Sequence, residues 1–311
     1  MLYGISISPA GPGGDPAAMA ELAAEAEQAG WDGIFLEDYI VYQGQAGTAT
    51  YDPWVTMAAM PATTSRVRLG TSVTPLPRRR PWKLASEAVT LDHLSKGRLI
   101  LGVGAGDIHD QGFSSTGEPL APATRAQLLD EGLQIVTRLW TGEPVTFHGR
   151  HFHIEQLSLS PPPVQQPRIP VWIGGDWQLS GVKARVARWD GCCVYKGSPD
   201  KEWQDITPAD VHDIRAAAGR RPGFDIALGG RERAADWDRE RQHIRSVASA
   251  GATWWSEWVK PGDRQRTIDA VRRGPLRAGC HLAQPGTPLE RPPMDQRITS
   301  SRQPNIRSDL A

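Results

Sequence analysis

Ala29-Gly30-Trp31-Asp32-Gly33-Ile34-Phe35-Leu36-Glu37-Asp38 is the stretch on which the fold turns. An Ala- and Glu-rich segment from about Pro16 leads into it, with Asp15 placed as an N-cap and Pro16 suited to a first helical turn. Gly30 supplies a helix stop, and Gly33-Ile34-Phe35-Leu36 reads as a short buried strand opening onto the polar residues Glu37-Asp38-Tyr39. Upstream, Leu2–Ile7 is another apolar run, closed by the Gly- and Pro-rich residues 9–14. The unit is therefore strand, loop, helix, strand, the crossover that parallel strands require.

The same rhythm continues along the chain. Strands are expected at Val67–Val73, Leu99–Val103, Val171–Ile173, Gly191–Val194, Phe224–Leu228 and Ala252–Val259. Helices are expected near Pro53–Thr64, Trp82–Ser95, within Leu120–Thr141, and near Val182–Arg188, Pro208–Ala217, Arg233–Ala250 and Asp263–Arg273. Eight strands with eight helices predict an α/β fold of the (β/α)8 TIM-barrel type over residues 1–279. Residues 142–170 differ in texture, with His, Gly and Pro among short β-like runs, and read as an inserted hairpin and loop. Residues 280–311 hold five prolines and no Phe, Trp or Tyr, so a disordered low-complexity tail is expected there.

Composition excludes several classes. Across 311 residues, 35 Lys+Arg balance 35 Asp+Glu, which argues against nucleic-acid and membrane-surface partners because both attract a basic excess. Three cysteines, two of them adjacent at Cys192 and Cys193, give no disulfide framework and fit a reduced cytoplasmic setting. No apolar run is long enough to span a bilayer.

In a barrel of this type the chemistry sits at the C-terminal strand ends. Gly102-Val103-Gly104-Ala105-Gly106 has Asp107 where a dinucleotide fingerprint needs its third glycine, so that reading fails. A glycine-rich strand end that admits a flat ring stays open beside a plain tight turn. Asp38 and Asp107 are acids at two strand ends, suited to hydrogen bonding or proton transfer, although helix capping is the commoner job of such residues. Gly174-Gly175 and Lys196-Gly197-Ser198, following successive strands, are suited to cradle a phosphate with exposed amides and a lysine, and Gly229-Gly230-Arg231 after the seventh strand is a second candidate. His148, His151 and His153 have metal-like spacing, but only His151 and His153 are expected to share a hairpin face, and no metal site is predicted. Arg78-Arg79-Arg80 reads as a solvated or anion-facing loop.

Taken with Arg68-Leu69-Gly70-Thr71-Ser72-Val73-Thr74-Pro75, Asp92-His93-Leu94-Ser95-Lys96-Gly97-Arg98-Leu99 and Pro161 through Gly175, the opening stretch resembles the bacterial luciferase-like family of flavin- and deazaflavin-dependent oxidoreductases. The resemblance covers about residues 1–275. It implies a barrel that binds FMN or coenzyme F420 at the C-terminal strand ends, acts on a small-molecule substrate, and assembles as a homodimer or larger homo-oligomer. It implies a non-prolyl cis peptide at Ser72-Val73 that bulges against the cofactor ring, so that Thr71, Ser72 and Val73 are cofactor-binding positions, and a cofactor-bonding acid at Asp38. Ala105, Gly106, Asp110, Gly174, Gly175 and Tyr195 fall on further cofactor-contacting positions, and Asp107 on an acid, commonly Glu, near the reacting centre. Many members carry His where this chain has Tyr39. A phenol with its pKa near 10 mostly donates a hydrogen bond where an imidazole would exchange a proton.

The resemblance thus implies a monooxygenase using reduced FMN and O2, or an F420-linked hydride-transfer enzyme, with Asp107 and Tyr39 as catalytic candidates. A non-catalytic flavin-binding protein of the same fold is the alternative. A cofactor-free barrel lyase or isomerase acting on phosphorylated substrates is the third reading.

Overall fold

The computed structural model describes residues 1–197, 203–219 and 221–279; the expected tail at 280–311, Cys280 and Ser198 lie outside the described residues. Eight parallel strands close into a barrel: β1 (Leu2–Ile7), β2 (Gly33–Leu36), β3 (Arg68–Thr71), β4 (Leu99–Gly104), β5 (Val171–Asp176), β6 (Gly191–Gly197), β7 (Asp225–Arg231) and β8 (Trp254–Val259). Each pairs with the next, and β1 pairs with β8 from Leu2↔Trp254 to Ile7↔Val259, which closes the ring. The eight expected crossover helices are α1 (Pro16–Gln28), α2 (Pro53–Ala59), α3 (Pro81–Leu94), α4 (Pro122–Leu139), α5 (Ser180–Val186), α6 (Pro208–Ala218), α7 (Trp237–Ser249) and α8 (Arg264–Arg272).

Local chemistry sets the helix starts. Asp15 accepts from the backbone N–H of Ala17 at 2.7 Å ahead of Pro16, and Asp52 accepts from that of Val55 at 2.9 Å ahead of Pro53. Thr207 and Asp210 form a reciprocal capping box on α6. The apolar face of α4, with Leu129, Leu133, Val136 and Leu139, is buried in the outer core between helices and strands.

The barrel interior is packed by side chains. Phe35, Ile100, Trp172, Ala227 and Trp254 form a separate inner cluster, with Phe35 and Trp172 stacked at 5.4 Å and Trp172 edge-on to Trp254 at 5.5 Å. Gly33 and Gly191 make room for it: a Cβ would come within 2.9 Å of the Trp254 ring at Gly33 and 2.5 Å of the Trp172 ring at Gly191. This plug closes the barrel from within and leaves the C-terminal ends of the strands as the mouth.

Two expectations about strand ends change. The strand predicted over Val67–Val73 stops at Thr71, and Thr74–Pro75 then pairs separately with Val103 and Gly104. Gly174-Gly175, Lys196-Gly197 and Gly229-Gly230-Arg231, expected as loops after strands, lie inside β5, β6 and β7. The ladder runs on through the glycines, Gly174↔Cys193, Gly175↔Val194 and Asp176↔Tyr195, because a partner strand is present to pair with them.

The insertion contains the expected antiparallel hairpin, Val145–His148 with His153–Leu157. Glu131 of α4 holds its turn by accepting from the backbone N–H groups of Arg150, His151 and Phe152. That turn corrects the histidine pairing: His148 and His153 are cross-strand partners with stacked rings, while His151 Nε2 lies 3.0 Å from Gln127 Oε1. Among the described residues, no group of three or more His, Cys, Asp or Glu is arranged to hold a metal, and no helix is long and apolar enough to cross a membrane.

Candidate active site

The Ser72–Val73 peptide bond is cis. The Val73 side chain lies against the backbones of β4 and β5: a Cβ on Gly104 would meet its Cγ2 at 2.8 Å, and one on Gly174 its Cγ1 at 2.5 Å. The two glycines therefore make room for Val73, which is partly exposed at the C-terminal ends of the strands. Thr71, buried beneath, donates from Oγ1 to the Gly102 carbonyl at 2.7 Å and ties β3 to β4.

The neighbouring strand ends carry hydroxyls and carboxylates. Tyr39 is half-buried and meets Tyr42 edge-on at 5.4 Å. Burial first, then the charges of Glu37 and Asp107 and the neighbouring Tyr42, push its ionisation well up against the opposing pull of Arg78, so it stays a neutral donor. Burial, with Asp176 and Asp107, pushes Tyr195 the same way, and Trp203 stacks on its ring at 4.6 Å. Asp107 is exposed, with Oδ1 accepting from the His109 backbone N–H at 2.9 Å. Its charge opposes the ionisation of both phenols, and all three residues lie at the C-terminal ends of strands, Tyr39 past β2, Asp107 past β4 and Tyr195 near the end of β6.

Other expected site residues are engaged within the protein. Asp38 is buried and paired with Arg78 and Arg79, each 2.8 Å away. Asp110 is buried too, capping the short helix Gln111–Ser114 and paired with the same Arg78, which lies over the Phe113 ring. Arg78 and Arg79 are thus not the solvated or anion-facing pair expected, because the chain's own carboxylates take their charge; Arg80 alone is exposed. Ala105 and Gly106 turn their carbonyls to the buried Arg125, at 3.0 and 2.6 Å. Of the phosphate candidates, Lys196 is bound to Asp210 at 3.1 Å, and Arg231 to both Asp205 and Glu240. Gly174 backs onto Val73, and Gly175 onto Val182 of α5.

Glu37 is the residue that the sequence reading passed over. It stands at the end of β2, where Trp258 Nε1 donates to Oε2 at 3.1 Å and Ser8 donates to the same oxygen. Burial pushes its pKa up to about 7, against the stabilising Trp258 bond. It lies two residues beyond Phe35, whose inward side the structure shows and the uniformly apolar run Gly33–Leu36 does not.

A planar ring with polar edges fits this mouth. Val73, packed on the Gly104 and Gly174 positions, offers it an apolar contact, and Tyr39 and Tyr195 offer donors, while Asp38 is taken up by Arg78 and Arg79. Residues 2–281 match the family of luciferase-like monooxygenases. An F420-dependent glucose-6-phosphate dehydrogenase of Nakamurella multipartita is 32% identical over 235 residues, 73% of this chain and 66% of that protein. One of Microbacterium testaceum is 34% identical over 66% of this chain and 60% of that protein, so the match spans less than two thirds of either relative. Among solved structures, an F420-dependent secondary alcohol dehydrogenase superposes with a TM-score of 0.70 at 18% identity, over 87% of this chain and 97% of the other. A monooxygenase from Streptomyces bottropensis gives 0.66 at 21% identity, over 88% and 97%, and both likenesses bear on the fold. By the extent of the family match and the identity to these relatives, the chain belongs to the luciferase-like monooxygenase family.

Proposed function

We propose that this chain is a deazaflavin-dependent oxidoreductase that transfers hydride between coenzyme F420 and a small alcohol-type substrate in the barrel mouth. The observation that carries the reading is that Val73, packed on the Gly104 and Gly174 positions, shares the C-terminal strand ends with two phenols held neutral, Tyr39 and Tyr195. The F420-dependent relatives support the deazaflavin over the flavin. A bound deazaflavin supplies two-electron redox chemistry. The chain's own residues orient it: Val73 packs on a face, Tyr39 and Tyr195 donate to polar edges, and Asp107 accepts from the open side. The inner aromatic plug bars water from below.

Reaction of FMNH2 with O2 is the second reading, supported by the monooxygenase description of the family and by neighbours such as a long-chain alkane monooxygenase. Intrinsic fluorescence titration with F420, FMN and FMNH2 separates the readings, with the 12 tryptophans as reporters. Saturable quenching by F420 is the expected outcome, quenching by FMNH2 alone transfers the proposal to oxygen chemistry, and no quenching by any of the three overturns both. Tight binding without turnover of any substrate would leave the non-catalytic flavin-binding alternative.

A further inference from the structure

Above the aromatic plug, strand parity selects what faces the mouth. On β2, Phe35 belongs to the inner cluster, while Ile34 and Leu36 belong to the outer core. A period of two puts Glu37 on the inward face, one step above Phe35. Two elements hold it there, Trp258 from β8 and Ser8 just past β1, and both donate to Oε2. Oε1 makes no hydrogen bond among the described residues, and it is not sealed from solvent. No described Lys, Arg or His forms an ion pair with this carboxyl. Tyr39 and Tyr42 are the titratable groups whose ionisation its charge opposes, and both stay protonated. The result is a carboxyl on the inward face of β2's end, with one oxygen fixed by two donors and the other left without one among the described residues. Its two protonation states are close in free energy at neutral pH.

We propose that Glu37 is the catalytic acid and base of this site, exchanging a proton through Oε1 with the oxygen of an alcohol-type substrate. The proposal rests on the redox reading above. In the oxidising direction the substrate O–H bond breaks and its proton forms the O–H bond of the Glu37 carboxylic acid. The electron pair left on oxygen becomes the second bond of the carbonyl, and the carbon-bound hydrogen leaves with its own pair to oxidised F420. In reverse, the acid returns the proton as the carbonyl is reduced. Tyr39, where the resemblance expects histidine, is too weak an acid for this role, and Asp107 is exposed, whereas Glu37 is held at its strand end by Trp258 and Ser8.

The test uses the full chain as wild type, Glu37→Gln and Glu37→Asp. F420 binding by tryptophan fluorescence comes first: a wild type that does not bind it ends the deazaflavin reading before any variant is compared. Where it binds, oxidised F420 is mixed with a series of small secondary alcohols over a range of pH. The wild-type rate is expected to rise with pH through about 7. Glu37→Gln is expected to bind F420 within about threefold of wild type and to lose about 100-fold or more in turnover together with that pH limb, whereas Glu37→Asp keeps the limb. Infrared spectra without substrate give a readout independent of turnover: a neutral carboxylic acid band that disappears through about pH 7 in wild type and is missing from Glu37→Gln. Unchanged turnover and pH limb in Glu37→Gln would overturn the proposal. So would a band indifferent to the substitution, or an F420-binding wild type that oxidises none of the alcohols.

Discussion

Glu37 ionises at a cost in the folded chain that it does not meet when unfolded, because its surroundings replace water with Phe35, Trp258 and two phenols. Its pKa rises from 4.5 to about 7, so the folded state binds this proton more tightly than the unfolded one. The sign follows: the contribution is fully favourable below the unfolded value and is lost as pH rises through about 7. Glu37→Gln removes the ionisation but keeps an oxygen to accept from Ser8 and Trp258. Its stability relative to wild type should improve between pH 5 and pH 8 by about 1–3 kcal/mol. Urea unfolding of both proteins at the two pH values measures this, and a difference that does not change with pH would refute it. A catalytic group that destabilises its own fold when charged is a familiar trade at active sites. The sequence could not show this group directly, because Gly33-Ile34-Phe35-Leu36 is apolar and buried on both faces, and such a run hides which residues point inward. Asp38 and Asp110 were visible as acids, but Arg78, which neutralises both, arrives from a different loop.

Among the elements, strands were legible as apolar runs and helices through their Asp and Pro caps; their ends at the mouth were not. A glycine pair after an apolar run reads as a turn, yet Gly174-Gly175 continues β5 because β6 extends beside it. The reason for glycine at position 174 is a side chain distant in sequence, Val73, which occupies the space a Cβ would need. Gly174→Ala would bring Cβ to 2.5 Å from Val73 Cγ1 and 3.3 Å from Cys193 Sγ. Val73 must then move, at a cost of about 1–3 kcal/mol for overpacking. On the proposed reading, F420 or FMN affinity falls about tenfold or more as Val73 is displaced. Val73→Ala added to Gly174→Ala makes room again and should recover most of the stability, but not the affinity, because the Val73 side chain itself is gone. Melting curves and fluorescence titrations of the two variants distinguish these effects. Wild-type affinity in Gly174→Ala would mean that the ring binds elsewhere.

At the scale of the whole molecule, closing eight strands into a ring requires the two ends of the described chain to be fastened together, and neither end shows this in its own sequence. Trp31 Nε1 donates to the Val271 carbonyl at 2.9 Å, and the Ala278 N–H donates to the Tyr3 hydroxyl at 2.8 Å. Behind these bonds lies the ion pair of Arg233 and Glu257, both side chains buried, with two contacts of 2.9 and 2.6 Å. Arg233 also donates to the Gly274 carbonyl at 2.6 Å, and Glu257 accepts from the Leu276 N–H at 3.3 Å. The pair therefore joins the loop after β7, the strand β8 and the segment that returns to β1. Arg233→Met leaves Glu257 buried with only Arg273, 3.9 Å away, and should cost about 3–5 kcal/mol. Replacing both partners, Arg233→Met with Glu257→Leu, removes the stranded charge and should cost much less than the single change. Chemical denaturation of the two variants reads the difference directly. If the double variant is as unstable as the single, what matters is the pair's hydrogen bonds to Gly274 and Leu276 rather than charge compensation. Closure would then depend on those backbone contacts.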